Sequence, residues 1–377
     1  VSTQRFNRAL AVYQVLPGPE ATELCVYFGY LSRGRLGAVL AGLGFILPGV
    51  ILMLLLSWLY ATVGIVALFA GAFKGFQAAV GALLIRAVHT IGRGVLKDRI
   101  KWVLAIGAFL AQLLGVPFWV TGVVAGALHA VARRGTRLPA SIIGVLLLVA
   151  LGVWATRGLF TGDPTGPLVA GVGAPAGGAL GTAGDAARSP ASGALTTPNV
   201  PLPVLLLSGL RAGLLTFGGA YTAIPFIRRD AVVDNPWTAP WLTDPQFLDG
   251  LALSGILPAP LIIFGTFVGY VGGGLLGGLA MTLGIFLPAF LFTLVGHDFF
   301  ERIVEDARVR SFLDGVTAGV VGIIAATVVV LLVGLVDGPV TAVLLVAALV
   351  TLYRWHAKAA IAVVVLAAGL LGALLFR

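Results

Sequence analysis

A glycine between two prolines, Pro17-Gly18-Pro19, interrupts a long apolar stretch near the start of this chain. Pro19 suits the first turn of a new helix, because the N–H group that proline lacks would have no partner in that turn. Gly18 has no side chain and lets a ligand approach the backbone closely. The unpaired amides and positive dipole end of such a helix favour a negatively charged ligand, so this spacing predicts an anion site.

The same pattern recurs in the second half of the chain, as Pro258-Ala259-Pro260. A single proline can merely kink a membrane helix, and we interpret the isolated Pro48 and Pro288 in that way. A Pro-x-Pro pair at matching places in both halves favours two helix ends that converge on one ligand. We therefore predict a binding site that includes Pro17, Gly18, Pro19, Pro258, Ala259 and Pro260.

A cation and a glycine pair lie close together between these two breaks. Arg211 precedes Thr216-Phe217-Gly218-Gly219-Ala220-Tyr221 by about one helical turn. A guanidinium beside glycine-rich backbone suits an oxyanion, and we place Arg211 among the candidate binding residues. Gly218-Gly219 alone is also typical of close helix packing, so both interpretations stay open for the glycines.

Two glutamates follow the first break. A carboxylate at Glu20 would stabilise the helix dipole but repel a bound anion. It is therefore either a structural cap or a group that exchanges a proton as substrate comes and goes, and the equivalent position in the second half is Leu261. Glu23, one turn further on, is expected to be interfacial or paired.

Lys74 and Asp314 occupy equivalent positions in the two halves with opposite charge, each before a glycine. They could form a salt bridge, act as a gate, or lie at helix ends in water. We list both, with Glu20, as candidate gating or coupling residues.

Composition restricts the class of protein that can carry these residues. The chain has 377 residues, of which 59% are hydrophobic and 10% charged, with a mean hydropathy of +1.05. So little polar surface cannot coat a soluble globule, and the long apolar runs predict an all-α polytopic membrane protein. One cysteine, Cys25, excludes an intrachain disulfide. Neither a metal nor another cofactor is expected, and no P-loop or catalytic triad suggests an enzyme.

Hydropathy also predicts where the chain crosses the membrane. The expected spans are 9–32, 36–60, 75–92, 102–114, 116–132, 140–157, 202–224, 246–270, 275–297, 311–336, 338–353 and 359–376, of which 102–114 and 116–132 are short enough to be a re-entrant pair. Alternate loops then carry most of the basic residues: Arg33, Arg35, Arg93, Lys97, Arg99, Lys101, Arg133, Arg134, Arg137, Arg228, Arg229, Arg302, Arg308, Arg310, Arg354 and Lys358.

This charge distribution predicts an orientation in the inner (plasma) membrane. The positive-inside rule places the basic loops in the cytoplasm, with segment 158–203 and the C-terminus outside. Basic residues that encode topology do not indicate a nucleic-acid partner, so none is expected.

The two halves of the chain are related in sequence. Phe6, Leu10, Leu16 and Pro19 match Phe247, Leu251, Leu257 and Pro260, and the register continues through Gly29-Tyr30 with Gly269-Tyr270 to Gly75 with Gly315. An odd number of predicted crossings separates the two broken helices, so the repeats are inverted. Two inverted-topology repeats with discontinuous helices are the architecture of secondary transporters, whose sites lie near the midplane.

The repeats define the predicted domains. Residues 1–157 form the first transmembrane repeat, 158–203 a flexible extracytoplasmic linker, and 204–377 the second repeat. The second repeat has an additional helix, 205–230, and we expect its counterpart to lie upstream of Val1.

Three motifs in order resemble those of a known family. "VLPGPEATELCVYFGY" (15–30), "LLTFGGAYTAIPFIRRD" (214–230) and "ILPAPLIIFGTFVGY" (256–270) are similar to the signature motifs of the chromate ion transporter family in its long two-repeat form. The resemblance implies efflux of chromate and chromate resistance, with sulfate as a similar oxyanion. It also implies that Pro17, Gly18, Pro19, Glu20, Phe217, Gly218, Gly219 and Tyr221 matter for binding. Ala259 departs from the expected glycine.

The predicted function is a secondary active transporter that exports chromate through a midplane site between the repeats. A sulfate or other oxyanion transporter and an anion channel are the alternatives. The lipid bilayer and the oxyanion are the expected partners, a homodimer is one possible assembly, and the coupling ion is left open.

Overall fold

The computed structural model describes residues 18–62, 70–132, 199–216, 219–233, 237–355 and 360–376, without the side chains of 296–305. Pro17, Phe217, Gly218, the predicted span 140–157 and most of the predicted linker 158–203 lie outside these ranges. In the described part every regular element is a helix, which confirms the all-α class.

The helices follow one another in this order: α1 (Glu20–Thr62), α2 (Ala70–Val95), α3 (Arg99–Leu113), α4 (Phe118–Ala132), α5 (Leu202–Leu214), α6 (Ile224–Arg228), α7 (Asp244–Ile256), α8 (Phe264–Glu305), α9 (Ala307–Leu335), α10 (Pro339–Arg354) and α11 (Ala360–Leu375). Short 3₁₀ turns, Ala220–Ala223 and Leu261–Ile263, precede α6 and α8, and a π-helical turn, Arg229–Val233, follows α6. Four segments are long and apolar enough to span a membrane: Glu20–Thr62, Ala70–Val95, Leu261–Val295 and Ala307–Leu335. The protein is therefore a polytopic membrane protein.

Two of the long helices are hairpins. In α1, Arg33 and Gly34 leave the helical conformation, and Gly34 has φ +60°, which favours glycine. The arms 20–32 and 35–62 then fold against each other, with the backbones of Gly29 and Gly37 in direct contact. The arms of α8 repeat this arrangement around Gly274, with φ +62°. Glycine at these places lets two helix backbones approach more closely than side chains would allow.

The two hairpins have opposite directions in the bundle. Arm 35–62 of α1 packs antiparallel to arm 275–295 of α8, since Gly42 meets Phe290 and Gly278 meets Leu54. The α1 hairpin therefore turns at the end of the bundle that carries the ion pair of Lys101 with Asp314, which we call the Lys101 end. The α8 hairpin turns at the end that carries the ion pair of Lys74 with Asp337, which we call the Lys74 end. This arrangement confirms the predicted inverted topology with discontinuous helices.

Within the described ranges, the two repeats exchange helices. Helices α3 and α4 of the first repeat pack on α9 of the second, and α10 and α11 of the second pack on α2 of the first. The contacts run from glycine to backbone in both copies. Gly315 and Gly322 of α9 lie against the carbonyls of Ala125 and Ala105, whereas Gly75 of α2 lies against that of Ala368. Neither repeat packs as a separate unit.

Two predicted spans, 202–224 and 246–270, are wrong because neither crosses the bundle. Each runs from the Lys74 end to the middle and returns to the same end. Val200 N donates to Gly272 O (3.0 Å), Trp241 N donates to Ala231 O (2.9 Å), and Gln77 Nε2, near the start of α2, donates to Pro245 O (3.4 Å). Hydropathy does not detect the reversal, because two half-length apolar helices have the same composition as one spanning helix.

The expected position of Arg228 and Arg229 changes with this correction. Both belong to the part of the chain that returns to the Lys74 end, so they do not lie with the basic loop 93–101. Arg228 is buried and bound in a bidentate ion pair to Asp244, at 2.7 and 2.8 Å. Arg229 lies over the ring of Phe118, 5.7 Å from its centroid.

The exchange of helices makes a prediction about stability. A methyl group in Gly75→Ala would meet the Ala368 carbonyl, and we expect this overpacking to destabilise the fold by about 1–3 kcal/mol. Gly44→Ala in α1 is the matched control, because nothing lies within 4 Å of its new methyl group. Alanine is more favourable than glycine in a helix by up to about 1 kcal/mol, so this change should not destabilise the fold. Thermal melting of both variants in nanodiscs tests the difference, and equal melting temperatures would contradict the described α2–α11 contact.

Candidate functional site

The first helix break lies just before α1. The carbonyl of Pro19 accepts hydrogen bonds from Thr22 N (2.8 Å) and Glu23 N (3.1 Å), so the helix begins as the sequence predicts. Gly18 has φ +152°, and its N–H donates to the carbonyl of Thr216 at 2.7 Å. Of the first four amides of α1, those of Glu20 and Ala21 have no carbonyl of their own helix to bond and are available to a ligand.

The second break separates α7 from α8. The chain leaves helical geometry at Leu257, which is extended, and Pro260 caps the 3₁₀ turn Leu261–Ile263. Ser254 Oγ, in the last turn of α7, donates to Leu261 O across the break at 2.7 Å. This confirms the helix break predicted at Pro258-Ala259-Pro260.

A third break separates α5 from α6. The helix ends at Leu214, and Gly219 has φ +124° before the turn Ala220–Ala223, which contains Tyr221. Thr222 donates both its N–H (3.1 Å) and its hydroxyl (2.7 Å) to Gly219 O, which fixes the turn. The sequence predicted Gly219 and Tyr221 as binding residues within a crossing helix, whereas they lie at the tip of a re-entrant pair.

The three breaks lie together in the middle of the bundle. Gly18 is bonded to Thr216, the turn Ala220–Ala223 contacts the turn Leu261–Ile263, and Gly49 of α1 lies against Ala259. Arm 20–32 reaches this place from the Lys101 end, and arm 261–272 reaches it from the Lys74 end. Two helix N-termini therefore converge from opposite directions, which concentrates positive dipole ends and unpaired amides in one small volume.

The carboxylate nearest this volume is that of Glu23. The expectation that Glu23 is interfacial or paired is wrong for the described residues, because the residue is 0% exposed and neither oxygen has a hydrogen-bond partner there. Its side chain folds back toward Gly18, in the space that a side chain at position 18 would fill. Glu20 is only partly buried. Sequence alone gives no way to separate these two acids, since both lie in the first turns of one helix.

Arg211 is held by protein groups close to the third break. Its guanidinium forms an ion pair with the buried Asp230 at 3.1 Å. The same group lies over two aromatic rings, 5.6 Å from the centroid of Phe118 and 5.3 Å from that of Trp237. The Asp230 carboxylate therefore offsets much of the positive charge of Arg211, which the sequence analysis expected to bind an anion.

Lys74 and Asp314 do not pair with each other. Lys74 Nζ binds Asp337 at 2.7 Å, and Asp314 binds Lys101 at 3.4 Å, so the two residues lie at opposite ends of the bundle. The hydrogen bond from Lys74, with a smaller contribution from that of Thr341, holds the pKa of Asp337 below its usual value. The contribution of this pair is therefore present at neutral pH and is lost only as the pH falls through that lowered pKa.

A buried acid in α7 connects three helices. Asp249 is 2% exposed and accepts hydrogen bonds from Tyr60 Oη (2.9 Å) and Gln77 Nε2 (2.8 Å), which belong to α1 and α2. The sequence marks Asp249 as an ionisable residue in an apolar segment. Its donors are 189 and 172 residues away, so no local pattern could identify them. In the described ranges no group of His, Cys, Asp and Glu could hold a metal ion.

Comparison with known proteins identifies relatives along most of the chain. The family profile described as "Chromate transporter" matches residues 1–131 and 204–373. A chromate transport protein of Pseudomonas aeruginosa is 48% identical over 390 aligned positions, covering 100% of this chain and 84% of its own. A chromate transport protein of Cupriavidus metallidurans is 29% identical (86% and 72% covered), and a probable chromate transport protein of Synechococcus elongatus is 27% identical (88% and 75%). No solved structure matches the chain.

The surroundings of Arg211 generate a stability prediction. Arg211→Gln would remove the guanidinium that pairs with the buried carboxylate of Asp230, and we expect the free energy of unfolding to fall by at least about 2 kcal/mol. Lys74→Gln is the control, because its ion pair is about half exposed and should contribute at most about 1 kcal/mol. Thermal melting with the double variant Arg211→Gln/Asp230→Asn completes the comparison. We expect the double variant to recover stability. A melting temperature of Arg211→Gln equal to that of wild type would contradict a structural role for Arg211.

Proposed function

This chain belongs to the chromate transporter family, and we propose that it exports chromate from the cytoplasm as a secondary active transporter. Sulfate, another tetrahedral dianion, is the expected competitor. One observation supports the proposal more than any other, namely the meeting of three helix breaks in the middle of the bundle. The 2.7 Å hydrogen bond from Gly18 N to Thr216 O joins the first break to the third, and the contact of Gly49 with Ala259 brings the second beside α1. Interrupted helices at the interface of inverted repeats are typical of midplane substrate sites in secondary transporters.

The proposed binding site uses backbone more than charged side chains. The first amides of arms 20–32 and 261–272 would donate to the oxyanion, with Gly18 and Gly219 leaving room for its approach. Pro19, Tyr221, Pro258, Ala259 and Pro260 shape this volume. Pro17, Phe217 and Gly218 are included on the sequence motifs alone.

We assign Arg211 an indirect part in binding. Its pairing with Asp230 and the rings around it suit a residue that fixes α5 beside α6 and adds a screened positive potential to the site. Direct coordination of chromate would require the guanidinium to leave that pair.

Gating is proposed at the two ends of the bundle. Lys74 with Asp337 closes the Lys74 end, and Asp314 with Lys101 closes the Lys101 end. In an inverted repeat, an alternating-access cycle would open one pair while the other stays closed.

Coupling to protons is proposed at the glutamates of the first break. Glu20 was the candidate from sequence, and the burial of Glu23 beside Gly18 favours Glu23 as the acid that exchanges the proton. An uncompensated charge in this position is costly, whereas a neutral acid tolerates an adjacent dianion. Release of chromate would then accompany a change in the protonation state of Glu23.

The proposed orientation has the Lys101 end in the cytoplasm of a cell whose inner membrane holds the protein. That end carries the basic loop 93–101, and the positive-inside rule favours it as cytoplasmic. Residues 199–201, joined to Gly272, and the end of α11 would then lie outside.

Transport in proteoliposomes tests the proposal against its main alternative, an anion channel. We expect chromate flux that saturates and that responds to an imposed pH gradient or to sulfate on the opposite side. Radiolabelled chromate uptake at fixed voltage measures this. Flux that follows voltage alone and never saturates would refute the carrier mechanism.

The two glutamates offer a matched pair for the coupling proposal. Glu23→Gln should remove most of the response to the pH gradient while chromate exchange at equal pH persists, because the neutral amide cannot exchange a proton. Glu20→Gln removes the same charge one turn away and should keep that response. The coupling role of Glu23 fails if its variant responds to the gradient like wild type.

A further inference from the structure

A second cationic site lies apart from the helix breaks, on the half of α2 nearer the Lys101 end. A cavity of about 380 Å³ is lined by Arg86, His89, Thr90, Arg93, Leu352 and Tyr353. The four residues from α2 follow the i, i+3, i+4, i+7 pattern and so share one face of the helix. Leu352 and Tyr353 of α10 form the facing wall. Two guanidinium groups, an imidazole and a hydroxyl therefore open into one space.

The geometry of the cavity wall orients the imidazole. His89 Nδ1 and Tyr353 Oη are hydrogen-bonded at 2.6 Å, which leaves Nε2 as the ring nitrogen that Tyr353 does not engage. Among the described residues, the ion pairs in the structure involve neither Arg86 nor Arg93. Within the described ranges, the cavity thus presents two cations that no carboxylate neutralises.

The cavity lies between the Lys101 end and the middle of the bundle. Arg93 is in the last turn of α2, while Arg86 is two turns earlier, toward the middle of the bundle. An anion held at Arg93 and Arg86 would therefore lie between the Lys101 end and the helix breaks.

The second repeat has no such site. The equivalent positions on α9 are Ala326, Val329, Val330 and Val333, all apolar. Val329 and Val333 are exposed. Because the repeats are inverted, this apolar counterpart faces the Lys74 end, so the cationic face of α2 has no equivalent on α9.

We propose that Arg86, His89, Thr90 and Arg93 form an accessory binding site for a tetrahedral oxyanion at the Lys101 end. Arginine pairs well with such ions because its fork of N–H groups matches two of their oxygens. The oxyanion comes from one of two sources. It is a dissolved chromate or sulfate ion on its way to the helix breaks, or the phosphate of an anionic lipid. An apolar cavity of about 600 Å³ shares His89 and Arg93 and would hold an acyl chain.

The assignment of the site to a dissolved chromate or sulfate ion rests on the proposed function. The experiment therefore tests binding at the site separately from transport. Binding is measured first, as the rise in melting temperature of the protein in nanodiscs when sodium sulfate replaces sodium chloride at equal ionic strength. Wild type should be stabilised, and Arg86→Gln/Arg93→Gln should lose that stabilisation. This readout does not require that the protein transports chromate.

The control removes two positive charges at the same end without touching the cavity. Lys97→Gln/Arg99→Gln changes exposed residues beyond the end of α2 and should keep the sulfate effect. Equal loss in both double variants, or in neither, would overturn the proposal, because the effect would then reflect surface potential or no binding at all.

Transport from each side identifies the source of the oxyanion. With chromate supplied at the Lys101 end, Arg86→Gln/Arg93→Gln should raise KM about tenfold or more, the scale of one lost charge-assisted hydrogen bond. With chromate supplied at the Lys74 end, KM should match wild type. If the defect occurs only in vesicles that contain phosphatidylglycerol and is absent in phosphatidylcholine, the lipid phosphate is the ligand. If it occurs in both, the ligand is the dissolved ion.

Discussion

Direct contact between helix backbones, made possible by glycine, is the constraint on which this structure depends. In a membrane the hydrophobic effect does not drive helices together, so association relies on close packing and on hydrogen bonds. Gly29 against Gly37 and Gly269 against Gly277 close the two hairpins. Gly75 and Gly315 let the exchanged helices pack directly against the backbones of α11 and α4. Because these contacts set the depth at which each arm begins, they also determine where the helix breaks meet.

The distribution of polar groups follows from that packing. Charges at the ends of the bundle form ion pairs, as Lys74 with Asp337 and Lys101 with Asp314 do. Toward the middle, Asp230 pairs with Arg211, whereas two other buried acids have neutral donors or none. Asp249 accepts from Tyr60 and Gln77, whereas the oxygens of Glu23 have no partner among the described residues. A polar group without a partner in such surroundings is costly, and its position beside the helix breaks is consistent with a role in function.

The helix breaks were predictable from sequence, whereas the end of the bundle to which the chain returns after a break was not. The helix break at Pro258 and Pro260 follows from what proline does to a backbone. The repeat follows from the matched register of the two halves, and its inversion from the odd number of crossings predicted between the two breaks. The return of α6 and α7 to the Lys74 end depends on contacts such as that between Val200 and Gly272, which no local pattern encodes. The exchange of helices between repeats and the partners of Asp249 likewise depend on residues far apart in the chain.

The interlocked repeats also have a consequence for how the protein is made. Gly71 and Gly75 of α2 pack against Gly372 and Ala368 of α11, so the first repeat leaves the ribosome with this face uncovered. Until α11 has entered the membrane, that surface is covered by lipid or by an insertion factor. Assembly of the two halves therefore includes a late closure, in which α10 and α11 lock them together.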